Sequence, residues 1–312
     1  MDKIAFLFPG QGSQKPGMGR AFAEALPDLR RGYFERADGL LGFSLSRLCF
    51  EGPAEELTRT ENAQPALYVS DLVVYEALRR AGIAPAALAG HSLGEYAALT
   101  AAGALRFEDG LRVVRRRGEL MAEVGDRVPG GMTAILGLPT DRVEEICQAA
   151  ADRGVVEVAN CNSPVQTIIS GEREALDRAA ELAGERGATR VIPLKVAAPF
   201  HCSLMAPLAE EMRQVLAATP VWPPQVPVVA NVTAEFVRSA AEIREALVRQ
   251  VAGAVRWMES VEALADAGCR MFVEARPGRV LSQLAKETVP DAPSYPAETP
   301  GRLSRLLESL GR

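Results

Sequence analysis

Residues 89–103 read AGHSLGEYAALTAAG, and the five from Gly90 to Gly94 leave the backbone few choices. Ahead of them, the apolar run APAALAG has the length and composition of a short buried strand. Behind them, LGEYAALTAAG is rich in strong helix formers and stops at Gly103, a suitable C-cap. A strand that becomes a helix across Gly-His-Ser-Leu-Gly must turn sharply at the serine, and glycines on both sides remove the side chains that would crowd such a turn. The geometry belongs to an α/β fold. It exposes the serine hydroxyl and aims the first N–H groups of the helix, with the positive end of its dipole, at the same point. Ordinary Gly-Ser turns also match this pattern; the flanking strand and helix make Ser92 a candidate nucleophile.

A nucleophilic serine needs a base, and the chain holds only two histidines, His91 and His201. His91 precedes Ser92 directly, so its side chain leaves the turn in another direction, as a packing or hydrogen-bonding support. His201, in the loop APFHC ahead of the helical stretch SLMAPLAEEM, is the base by elimination. No carboxylate stands out as the third member of a triad. A backbone or amide carbonyl would serve instead, since the imidazole N–H requires only an acceptor.

The run RRR at 115–117 reads as a charged surface for Arg115 and Arg116. Arg117 is different. On a helix expected from Arg106 to Val124, Arg112, Arg116, Glu119 and Glu123 share the solvated face, whereas Arg117 falls on the stripe of Val113, Leu120 and Val124. A guanidinium on an apolar face needs an anion, and a substrate carboxylate fits its fork bidentately.

Along the chain, Lys3 to Phe8 is an expected strand closed by PGQGSQ, and Gln64 to Ala81 an expected helix. From Gly131 the texture changes: MTAILGL, VVEVANC, VQTIIS and TRVIPL are strand patterns. Helices are expected at Thr140 to Arg153, capped by Thr140 or Asp141, and at Glu172 to Arg186. That β-α-β-β-α-β order predicts a ferredoxin-like subdomain. Long helices and isolated strands, VPVVAN and MFVEA, resume after Lys195. The expected organisation is an α/β-hydrolase-like large domain, residues 1–127 plus 198–312, interrupted by a ferredoxin-like insert at 128–197.

Composition narrows the function. The 312 residues are 48% apolar and 24% charged, with a net charge of −5 that gives no reason to expect nucleic acid. Thirty-one of the 35 basic residues are arginine, as a biased genome composition would also produce. The run IAFLF is stopped by Pro9, far short of a signal-peptide core or of the roughly 20 residues of a membrane span. The five cysteines are odd in number and none are paired at metal-ligand spacing, so reduced, buried thiols in a cytoplasmic protein are expected, and no metal site.

FPGQGSQ, GHSLGEYAAL, VVRRRGELM, NCNSP, PFHC and LVRQVAGAVRW, in this order over nearly the whole chain, resemble the malonyl-CoA:acyl-carrier-protein transacylases and the related acyltransferases of polyketide synthases. The resemblance implies that Ser92 is acylated by malonyl-CoA, with His201 as base. It implies an oxyanion hole from the backbone N–H groups of Gln11 and Leu93, and a Gln250 main-chain carbonyl orienting His201. It implies Arg117, Phe200, Met121 and Asn162 as substrate-binding residues, an acyl carrier protein with its phosphopantetheine as partner, no cofactor, and a monomer sufficient for the chemistry. Phe200 is the residue of malonyl-loading polyketide enzymes, where fatty-acid enzymes often have serine, so the pathway stays open. Arg276 stands where the family usually has glycine, and Cys161 where an aromatic residue is common. A hydrolase of the same fold that clears carrier proteins is the alternative, but it would have no use for a carboxylate clamp at Arg117; a non-catalytic scaffold would need none of the three residues.

Overall fold

The computed structural model describes residues 3–196, 198–275 and 278–311, so Arg276 and the proposed boundary at residue 197 lie outside the described residues. Two sheets organise the chain. The larger has the order β10-β9-β1-β2-β7-β8, from Ser294–Pro296 (β10), Cys269–Glu274 (β9), Lys3–Phe8 (β1), Ala87–Gly90 (β2), Val228–Val229 (β7) and Phe236–Val237 (β8). Its pairings are parallel except for β7 with β8. The smaller is antiparallel, in the order β4-β5-β3-β6, from Val156–Ser163 (β4), Gln166–Glu172 (β5), Gly130–Leu136 (β3) and Arg190–Pro193 (β6). The α/β class expected from the sequence is the class observed.

β1 is apolar without alternation because both of its faces are buried, as parallel strands require. Phe6 and Phe8 join the main core with helices α1 (Thr60–Arg80) and α3 (Phe107–Arg127), while Ala5 and Leu7 pack with Trp257, Val261 and Leu264 of α8 (Trp257–Asp266). Between α1 and α3 comes α2 (Gly94–Ala101), closed through Gly103 at φ 76°. In register, Phe8 of β1 lies beside Gly90 of β2, so the loops that leave the two strands emerge side by side. On one face the smaller sheet packs Ile135 and Ile169 against Val143 of α4 (Thr140–Ala150) and Leu176 of α5 (Arg173–Glu185). Met132, Ala134 and Ile168 on its other face belong to the main core. Helices α6 (Ala206–Ala218), α7 (Ala240–Ala252), α8, α9 (Val280–Thr288) and α10 (Pro300–Ser309) complete the larger part.

Four local expectations change. α1 begins at Thr60, four residues before the expected start, with Pro65 inside it. A proline there deprives the Glu61 carbonyl of its helical donor. Arg115 supplies the replacement, donating to Glu61 O at 2.8 Å and to Asn62 Oδ1 at 2.9 Å, with its guanidinium over the Phe43 ring. Arg115 is therefore a half-buried bracket between α1 and α3 and not surface charge; Arg116 keeps its solvated pairs with Glu119, Glu123 and Glu211. The cap of α4 is Pro139, with no side-chain cap bond; Thr140 Oγ1 bonds Thr167 Oγ1 instead, and Asp141 accepts from the Arg142 N–H. VPVVAN forms a strand over Val228–Val229 only, because Ala230 and Asn231 turn toward the site.

Candidate active site

The turn after β2 holds Ser92 at φ 51°, a left-handed backbone that a serine adopts only when its surroundings impose it, at a cost of about 1–3 kcal/mol. The two glycines make that possible. A Cβ on Gly90 would overlap the backbone of Gly94, and one on Gly94 would overlap the Phe8 carbonyl. Asn231 locks the turn from β7: its Oδ1 accepts from the Ser92 N–H at 2.7 Å and its Nδ2 donates to Gly90 O at 2.7 Å.

Ser92 Oγ lies 2.7 Å from His201 Nε2, and His201 Nδ1 lies 2.8 Å from the Gln250 main-chain oxygen. A carbonyl only accepts, so Nδ1 carries the proton and Nε2 presents its lone pair to the serine hydroxyl. His201 also has a left-handed backbone, φ 62°. Burial and the nearby Arg117 charge push its pKa down to about 3, which keeps the imidazole neutral near pH 7. His91, one residue before Ser92, turns away to Asn162 Oδ1 at 2.9 Å and packs on Trp257, and burial lowers its pKa too.

Arg117 is 1% exposed. Its Nη1 donates to Gln64 Oε1 at 2.9 Å, and its Nη2 to Gln250 Oε1 and to Ser92 Oγ, both at 3.1 Å. The guanidinium sits 5.5 Å from the centre of the Tyr96 ring. Both glutamine amides are held with oxygen toward the arginine, because Gln64 Nε2 is turned to Met121 Sδ and Gln250 Nε2 to Ser92 O and Glu95 Oε2. A cavity of about 310 Å³ opens on this group, walled by Gln11, Ser92, Leu93, Arg117, Met121, Phe200 and His201, with Asn160, Leu194 and Lys195 beyond them. The backbone N–H groups of Gln11 and Leu93 donate to no acceptor among the described residues.

Of the residues expected at the site, Ser92, Leu93, His201, Gln11, Arg117, Met121 and Phe200 line the one cavity, and Gln250 sits fully buried behind Ser92. Asn162 does not line it. Its amide is spent on His91 and Gln166, and the residue that β4 contributes to the wall is Asn160. Gln64, Asn231 and Glu95 belong to the site although nothing in the sequence reading singled them out. A signal existed for Asn231, a polar residue just past an apolar strand at the carboxyl edge of a parallel sheet, where such folds bind ligands. Among the described residues no group of three or more His, Cys, Asp or Glu could hold a metal ion, and no helix is long and apolar enough to cross a membrane.

Comparison with known proteins agrees with this geometry. Residues 5–308 match the acyl transferase domain family. The chain is 44% identical over 311 residues to the malonyl CoA-acyl carrier protein transacylase of Bacillus subtilis, covering 99% of this chain and 98% of the relative. Its fold superposes on the acyl-carrier-protein S-malonyltransferase of Burkholderia pseudomallei with a TM-score of 0.94 at 42% identity, over 98% of this chain and 99% of the other. It matches equally, at 40% identity and TM-score 0.94 over 98% of this chain and 99% of the other, a malonyl-transacylase solved in complex with a type II polyketide acyl-carrier protein. A sharp serine turn, a buried arginine beside it and near-full-length likeness at this level of identity make the chain a member of the malonyl-CoA:acyl-carrier-protein transacylase family of acyl transferases.

Proposed function

We propose that this protein moves a malonyl group from coenzyme A to the phosphopantetheine thiol of an acyl carrier protein, by way of a Ser92 ester. Ser92 Oγ attacks the thioester carbonyl carbon while His201 Nε2 takes its proton. The oxyanion falls to the free N–H groups of Gln11 and Leu93, which lie on adjacent loops because β1 and β2 are in register. As the tetrahedral intermediate collapses, the C–S bond breaks and His201 returns its proton to the departing sulfur. The carrier thiol then attacks the Ser92 ester, and the same groups act in reverse. Each proton has a donor and an acceptor among the chain's own residues and the two thiols. Gln250 O holds the base in the tautomer this requires, the role a carboxylate plays in a triad.

The observation that carries the reading is Arg117. A buried guanidinium 3.1 Å from the nucleophile selects an acyl group bearing a carboxylate a few bonds from its carbonyl. Phe200 and Met121 bound the space for substituents on that group, and Asn162 acts through His91. The strand orders favour an α/β-hydrolase-like large domain, residues 1–127 with 198–312, and a ferredoxin-like insert at 128–197, whose antiparallel order β4-β5-β3-β6 and two helices on one face suit that name. Five buried cysteine thiols favour work in the cytoplasm, for fatty-acid or polyketide synthesis.

The test is intact-mass spectrometry. Malonyl-CoA should add one malonyl group to the wild type and none to Ser92→Ala, and holo acyl carrier protein should then remove it and gain the same mass. Label lost to water instead would mean a hydrolase. Malonyl on folded Ser92→Ala would remove the nucleophile assignment.

A further inference from the structure

Glu95 is the third residue beyond the nucleophile, on the first turn of α2, and it is 2% exposed. An unpaired carboxylate is expensive to bury, so its partners carry meaning. Its Oε2 accepts from the Asn231 N–H at 3.0 Å and from Gln250 Nε2 at 2.8 Å. The other end of that same Gln250 amide, Oε1, accepts from Arg117 Nη2 at 3.1 Å. One amide thus spans a buried carboxylate and a buried cation, donating to one and accepting from the other. Among the described groups packed around Glu95, Arg117 of α3 is the charged one and Tyr96, its neighbour on α2, the other titratable one; β7 and α7 offer the Asn231 N–H and the Gln250 amide. Neither His201 nor His91 is among the groups that act on Glu95; His201 feels the Arg117 and His91 charges instead.

We propose that Glu95 is the charge-balancing partner of Arg117, ionised against the guanidinium while the site is empty and taking up a proton from solvent when a carboxylate-bearing acyl group pairs with it. This rests on the proposed role of Arg117 as the carboxylate clamp. Two carboxylates around one buried cation leave a net negative charge in a medium of low dielectric, and the one not in direct contact with the guanidinium is the one that neutralises. Burial already lifts the Glu95 pKa to about 7, against the pull of its hydrogen bonds and of Arg117, so a second anion at Arg117 raises it further and the change falls in the working range. Glu95 is a positioning residue: it touches no substrate and sets the charge that the substrate carboxylate meets. Its presence also favours release, since an uncompensated guanidinium would hold the malonyl group more tightly.

The linkage has a definite sign. Binding favours the protonated carboxyl, so malonyl affinity is highest below the empty-site pKa and falls as pH rises above it, by up to tenfold per pH unit. Acetyl-CoA carries the same coenzyme phosphates and lacks the carboxylate, so the ratio of the two isolates the effect. The experiment measures KM for malonyl-CoA and for acetyl-CoA in single-turnover acylation of the wild type from pH 6.5 to 8.5. The expected result is a malonyl-to-acetyl KM ratio that rises several-fold across this range. Glu95→Gln, which keeps an acceptor for both donors, should flatten the ratio, and a pH indicator in weak buffer should record proton uptake on malonylation of the wild type and none in the variant. A flat wild-type ratio overturns the proposal by itself, even where the variant does not fold; so does proton uptake that persists in Glu95→Gln. If malonyl-CoA fails to acylate the wild type at all, the transacylase reading has failed, which is a different outcome from a flat ratio.

Discussion

Among the described residues, the guanidinium of Arg117 finds three neutral acceptors within hydrogen-bond reach, the Gln64 and Gln250 side chains and Ser92 Oγ, and no carboxylate in direct contact. A buried cation left in that state is held for a visiting anion. Arg117→Ala should therefore lower malonyl acylation by roughly 100-fold, the lower end of the 3–5 kcal/mol seen when one side of a buried charge pair is removed, because water can enter an open cavity. Acetyl acylation should fall far less or rise, since the unpaired charge that opposes it is gone. Single-turnover acylation with both esters checks this, and an unchanged malonyl-to-acetyl ratio would sink the clamp. Lysine is no substitute here, for an ammonium lacks the planar fork that pairs a carboxylate bidentately.

At the scale of elements, the site depends on how closely β1, β2 and α2 approach. Gly94 marks the closest point, where any side chain meets the Phe8 carbonyl. Gly94→Ala should cost at least about 3 kcal/mol or prevent folding, because the obstacle is backbone at the centre of a sheet and cannot move aside. Gly184 is the internal control. It is an exposed glycine near the end of α5, with nothing within 4 Å of a Cβ built on it. Gly184→Ala should stabilise by about 0.5–1 kcal/mol through helix propensity and the entropy of the unfolded chain. Urea unfolding of the two variants and the wild type checks the pair; expectations of opposite sign for chemically identical changes leave little room for a generic effect.

For the whole molecule, three buried titratable groups set the response to acid between pH 6.5 and 5. The folded pKa of His201 is pushed down to about 3 from 6.5, and that of His91 is lowered as well. The unfolded chain therefore binds a proton on His201 as pH falls through 6.5 while the folded chain does not, and stability drops by up to about 1.4 kcal/mol per pH unit; the lowered His91 pKa acts in the same direction. Glu95 works the other way: with its folded pKa raised to about 7 from 4.5, the folded protein takes up a proton before the unfolded chain does, and stability rises as pH falls across that window. The Glu95 gain thus opposes the histidine losses. Glu95→Gln removes the gain, so its stability should fall more steeply toward pH 5 than that of the wild type. Urea midpoints at pH 6.5 and 5 for both proteins measure the difference, and equal slopes would mean that Glu95 does not titrate there.

What the sequence determined by itself was local. Glycines two residues either side of Ser92 specify its turn, a helical phase puts Arg117 among Val113, Leu120 and Val124, and two histidines leave little choice of base. Each of these follows from backbone sterics or from a period of a few residues, which neighbours in the chain express directly. Motif likeness supplied the expectation about the Gln250 carbonyl, whose geometry matches; the same likeness implied Asn162 as a substrate-binding residue, whereas the β4 residue lining the cavity is Asn160. Arg115 was misread because its acceptor is a carbonyl freed by a proline in another helix. Gln64, Asn231 and Glu95 could be joined to the site only by the tertiary structure, since the hydrogen bonds that tie Gln64 to Arg117, Asn231 to Ser92 and Glu95 to Gln250 run between residues 53, 139 and 155 positions apart. Such bonds depend on where the ends of β2, β7, α1 and α7 converge, and a convergence of strand and helix ends has no period in the sequence that would announce it.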